Sequence, residues 1–120
     1  MENMQSSMQE KVEKIQALQK TQQKTLAARQ TLDSQLSENK LVKEELDNLE
    51  DDAKVFKLIG PALVKQDTSE AKQNVEKRIE YIGGELKRHD ETLADLDKKQ
   101  DSLKEELGTI QAHMQKLTQA

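Results

Sequence analysis

The sequence predicts a mainly α chain: a long antiparallel two-helix coiled coil with a central β-hairpin that joins a β-barrel on oligomerisation. Three observations carry this expectation. Apolar residues recur at alternating three- and four-residue steps through the last third of the chain. A looser version of the same stripe fills the first 49 residues. Between them, two short apolar runs flank Gly60-Pro61, the chain's only proline. The expected organisation is a single domain over 1–120, with helix 1 at 1–52, the hairpin at 53–67 and helix 2 at 68–120.

The second helix is the plainest element. Val75, Ile79, Ile82, Leu86, His89, Leu93, Leu96, Gln100, Leu103, Leu107, Ile110, Met114 and Leu117 follow one another without a slip. This is a heptad seam, interrupted only by His89 and Gln100, and charged residues occupy its edges. Asp67 stands where an N-cap is expected, and Glu70 three residues on is placed for a capping box. The first helix repeats the stripe through Met8, Val12, Ile15, Leu18, Gln22, Leu26, Arg29, Leu32, Leu36, Asn39, Val42, Leu46 and Leu49. No Gly or Pro interrupts it before Gly60. At 1.5 Å per residue both helices would be roughly 65–75 Å long.

Val55-Phe56-Lys57-Leu58-Ile59 and Ala62-Leu63-Val64-Lys65-Gln66 read as two strands around a Gly-Pro turn. An irregular apolar loop is the alternative. Two long helices with a short connector fold back antiparallel. In the expected register Met8 meets Met114, Val12 meets Ile110, Leu26 lies near Leu96 and Gln22 faces Gln100. Such a polar layer trades stability for register.

An isolated hairpin is marginal in water, and this one has apolar residues on both faces and two open edges. Both helices use their stripes on each other. Hairpins from several chains pairing edge to edge and closing into a barrel would resolve this.

Composition closes off other classes. Of 120 residues, 33% are hydrophobic, 35% charged and 2% aromatic, too little apolar bulk for a compact core. The net charge of −4 is spread along the chain with no basic stripe, which argues against nucleic acid. No cysteine is present, and His89 and His113 stand apart without metal-ligand company, so no metal, cofactor or enzyme activity is expected. The first residues carry no signal-peptide pattern and no run would span a bilayer, which makes a cytoplasmic protein the expectation.

The run from Val55 to Gln66, followed by Glu70-Ala71-Lys72 and Val75-Glu76-Lys77-Arg78-Ile79-Glu80-Tyr81-Ile82, resembles the beta class of prefoldin subunits, of the eukaryotic kind. Asn39-Lys40-Leu41-Val42-Lys43-Glu44-Glu45-Leu46 matches that family's first-helix stretch. One hairpin rather than two fits the beta class.

The resemblance implies a chaperone hexamer of two alpha-class and four beta-class subunits. Its body would be a double β-barrel from which six coiled coils hang. It implies ATP-independent binding of unfolded proteins, notably actin and tubulin, and their delivery to the cytosolic chaperonin. By that analogy the hairpin residues Val55, Phe56, Leu58, Ile59, Gly60, Leu63 and Val64 serve assembly. The coiled-coil tips would bind client through Met4, Met8, Val12 and Ile15 with Leu107, Ile110, Met114 and Leu117, exposed if the last turns fray. Methionine is flexible and polarizable, which suits varied apolar partners. A structural coiled-coil adaptor or tether, or a subunit of a related prefoldin-like complex, remains an alternative. Gly83, Gly84 and Gly108 read either as points of compliance in the coiled coil or as drift at outward positions.

Overall fold

In the computed structural model, which describes residues 2–50 and 52–119, four elements follow one another. They are helix α1 (Glu2–Asp47), strand β1 (Val55–Ile59), strand β2 (Ala62–Gln66) and helix α2 (Thr68–Gln119). The chain forms two compact units, one of residues 2–28 with 89–119 and the other of residues 29–88.

In the 29–88 unit, β1 and β2 pair antiparallel from Val55 opposite Gln66 to Ile59 opposite Ala62. That leaves a two-residue turn. Gly60 has φ +58°, and no other described residue has positive φ. A positive φ at the first central position alone is the type II′ pattern. Proline at the second position supplies the negative φ that the turn needs. Leu46, Ala71 and Val75 form a buried cluster, with Val55 and Ile79 packed against it, so the base of β1 is fastened to both helices. Ile82 and Leu86 are also buried here.

Helix α1 ends at Asp47, short of the expected 52. Asp47 and Asn48 compete with the helix for their own backbone hydrogen bonds. The last turn also has no basic residue to set against the dipole. Three further bonds close the end: Asn48 N–H to the Glu44 carbonyl, Leu49 N–H to Leu46, and Ala53 N–H to Glu50.

Helix α2 starts as expected on Asp67, whose side chain accepts from the Ser69 N–H at 3.2 Å. Its carbonyl accepts from the Ala71 N–H at 2.9 Å. Among the described residues Glu70 makes no return bond, so this is a cap without the full box. Replacing Asp67 by Ala should lower stability by about 1 kcal/mol. Chemical denaturation read by helical circular dichroism measures it.

The seam of α2 is as read from the sequence: its positions from Val75 to Met114 are all buried or half-buried, and only Leu117 is exposed. The seam of α1 is not. The positions turned inward, apart from the half-buried Ser7 beside Met8, are Met4, Met8, Lys11, Ile15, Leu18, Gln22 and Thr25 in one unit, and Arg29, Leu32, Leu36, Asn39, Lys43 and Leu46 in the other. They alternate steps of four and three without a slip. Val12, Leu26, Val42 and Leu49, expected in the seam, are exposed. A strict heptad on α2 admits only a strict heptad opposite it. One residue off that line is turned about 100° to the flank, whatever its polarity. Lysine fits the seam because its alkyl stem packs while its ammonium reaches outward.

A Cβ added at Gly83, Gly84 or Gly108 would meet nothing within 4 Å. Alanine at all three should therefore stabilise the helix by up to about 1 kcal/mol per site. Unchanged capture of a denatured test protein by that variant would remove any role for them as compliant points.

Candidate functional site

The hairpin presents its apolar residues to solvent. Period-two alternation puts Val55, Lys57 and Ile59 on one face with Ala62, Val64 and Gln66. The other face holds Phe56 and Leu58 with Leu63 and Lys65. Leu58 is 68% exposed and Leu63, its cross-strand partner, is 69% exposed. Phe56, Ile59 and Val64 are exposed too, whereas Val55 is half-buried against the helical cluster. Gly60 makes the tight turn possible. Among the described residues, no other element covers the outer strand positions.

Of the tip residues, Met4, Met8, Leu107, Ile110 and Met114 are half-buried, and Val12 and Leu117 are exposed. Ile15 is buried at 8%. The helices persist through these residues, α1 beginning at Glu2 and α2 ending at Gln119. Met8 and Met114 come together as expected, lining one groove with Gln111, Gln115 and Thr118. Val12 does not enter the seam beside Ile110, because Lys11 holds the inward position.

Lys11, like Thr25 and Lys43, is a seam residue that sequence reasoning missed. Its ammonium donates to Glu106 Oε2 at 2.7 Å, joining the helices. Counting four back from Ile15 on a strict heptad would have found it. The hydrogen bond from Lys11, and then its charge, hold the Glu106 carboxyl below its ordinary value of 4.5. A depressed carboxylate stabilises the fold above the unfolded pKa. That contribution fades as pH falls through the lower folded value. Unfolding of Glu106→Gln should therefore depend less on pH than that of the parent below about 4.5, and the difference should shrink in high salt. Thermal melts at stepped pH test this; identical pH profiles for the two proteins would rule it out.

A second polar layer is the expected one. Gln100 is 5% exposed, and its side-chain amide donates to Gln22 Oε1 at 3.0 Å. Gln22 in turn donates to Asp97 Oδ1 at 3.0 Å. In the 29–88 unit, Lys43 pairs with Glu76 at 3.9 Å and Lys72 with Asp47 at 3.7 Å, both across the helices.

Among the described residues no group of three or more His, Cys, Asp or Glu is placed to hold a metal ion. His89 is half-buried and His113 exposed. No helix among the described residues is long and apolar enough to cross a membrane.

Comparison with known proteins agrees with this architecture. The family model described as "Prefoldin subunit" matches residues 9–118. A Homo sapiens protein named "Prefoldin subunit 6" is 44% identical over 115 residues, covering 96% of this chain and 89% of that protein. The Arabidopsis thaliana protein of the same name is 46% identical over 113 residues, covering 94% and 88%. The fold is similar to that of the prefoldin beta subunit from Thermococcus strain KS-1, with TM-score 0.80 at 24% identity over 85% of this chain and 90% of the other. That likeness concerns the fold alone. Family model, relatives and fold converge on the likeness first suggested by the hairpin stretch: the chain belongs to the prefoldin subunit family.

Proposed function

We propose that the chain is a beta-class subunit of a hetero-hexameric prefoldin, a holding chaperone that works in the cytoplasm without ATP or cofactor. It assembles with alpha- and beta-class partners by adding its hairpin to a β-barrel body. The hexamer takes up non-native polypeptides, actin and tubulin among them, and passes them to the cytosolic chaperonin. No bond is made or broken, so the chain is not an enzyme.

The observation that carries this reading is the hairpin, apolar on both faces and exposed beyond its base. Its strand edges favour pairing with like hairpins, and its leucines favour burial between them. The tips supply the client half of the proposal. Met8 and Met114 share an open groove, and Val12 and Leu117 are exposed beside the half-buried Leu107 and Ile110. Several such weak apolar contacts, one set per subunit, add by avidity.

Native purification of the tagged chain from a eukaryotic extract, with mass and composition by mass spectrometry, tests it. The expected result is a complex of six small helical chains that binds denatured actin. A self-associated dimer, or one large folded partner, would instead mark a coiled-coil adaptor and overturn the proposal.

A further inference from the structure

One groove in the 2–28/89–119 unit is separate from the hairpin and from the tip. It holds about 510 Å³ and is lined by Lys14, Ala17, Leu18 and Thr21 of α1 and by Lys99, Ser102 and Leu103 of α2. Leu18 and Leu103 are seam residues, and they form its floor. In a two-stranded coiled coil the flanking positions ordinarily carry long side chains whose stems lie over the seam. Here Ala17, Thr21 and Ser102 are too short to do so, and the two leucines are only half-buried.

The charged lining residues are both lysines. Their side chains are well exposed, and each has one exposed partner a turn away on its own helix, Glu10 at 3.4 Å and Asp95 at 3.2 Å. Such pairs are weak and exchange readily. Taking Gln22 and Gln100 as one layer of antiparallel helices, Lys14 and Lys99 lie roughly 13.5 Å apart along the axis, on opposite rims.

We infer that this groove docks a short amphipathic helix of a partner protein, through two apolar residues set on Leu18 and Leu103 and two carboxylates reaching Lys14 and Lys99. The form of the occupant follows from the dimensions. A trough between two helices accepts a third, and residues seven apart on a helix share a face at about 10.5 Å along its axis. Carboxylates at i and i+7 therefore bracket apolar residues at i+3 and i+4. The flexible four-carbon lysine stems absorb the difference of about 3 Å in spacing. The partner is defined by this acidic-apolar pattern, which sets it apart from an unfolded client met through apolar contact alone. The docking does not require the client reading above.

The test is fluorescence polarisation of a labelled helical peptide carrying Glu at i and i+7 and Leu at i+3 and i+4, titrated with the full chain. Saturable binding is expected, weakening with added salt. It should weaken at least about tenfold in Lys14→Glu/Lys99→Glu. It should be lost in Ala17→Gln/Ser102→Gln, where longer, helix-compatible side chains cover the leucines. Circular dichroism confirms that each variant keeps its helices. Equal affinity for a peptide with Gln in place of both Glu would make the groove a general apolar surface and overturn the inference. So would indifference to the lysine reversals. Dimerisation of the chain that the Ala17→Gln/Ser102→Gln variant abolishes would make the occupant a second copy, and would overturn it as well.

Discussion

Leu58→Asp combined with Leu63→Asp should leave a helical chain that no longer enters a complex with other prefoldin subunits. These two residues face each other across the hairpin and are the most exposed large apolar side chains described. Exposure makes the pair nearly indifferent to the isolated fold, because among the described residues no other element covers it. Burial in an assembly is another matter. Each leucine taken out of water is worth about 1.5–3 kcal/mol. Each aspartate placed there instead adds several kcal/mol of desolvation. Together the changes should weaken association by roughly a thousandfold or more. Size-exclusion chromatography and native mass spectrometry of the chain mixed with partner subunits read the loss, and circular dichroism shows the helices retained. Full incorporation of the double variant would remove the hairpin from the interface.

The Gln22–Gln100 layer should give a non-additive cycle of opposite signs. Gln22→Leu leaves the Gln100 amide buried without its acceptor, a loss of about 1–3 kcal/mol. Replacing both by Leu removes the unsatisfied group and adds apolar contact in the same layer. That double variant should be more stable than the parent by about 1–3 kcal/mol, as when buried polar pairs elsewhere are replaced by well-packed apolar ones. The gain should come with a loss of uniqueness, since a leucine layer no longer distinguishes this register from one shifted by a heptad. Denaturant midpoints give the energies. Disulfide trapping between cysteines placed in matched and shifted layers gives the register. A double variant less stable than either single one would show that the pair contributes more than specificity.

Much of this was legible in the sequence, for reasons that differ by element. Helix α2 could be read position by position because its seam is written in apolar residues. The hairpin was legible because Gly60-Pro61 permits few backbone conformations. In α1 the seam is carried in part by Lys11, Thr25 and Lys43, while Val12, Leu26 and Val42 sit beside them. A reading that follows apolar residues then drifts by one position at each of these places. The partner helix decides the matter: its unbroken heptad imposes the same period on α1. The groove over Leu18 and Leu103 escaped notice for a different reason. It arises from short side chains at flanking positions, and no motif records what is missing.

The distance along the chain between paired residues has a kinetic consequence. Leu46 and Ala71, next to the hairpin, are 25 residues apart, while Gln22 and Gln100 are separated by 78 and Lys11 and Glu106 by 95. Closing the longest of these loops directly, rather than the shortest, costs about 1 kcal/mol more in chain entropy. Each pair formed near the turn shortens the free loop that the next must close. Folding should therefore zip from the turn toward the two termini, and unzipping should begin where Met8 and Met114 meet. The segment that makes the last and most easily lost contacts is thus the one proposed to hold unfolded chains. Its opening can be frequent without loosening the hairpin proposed to carry assembly.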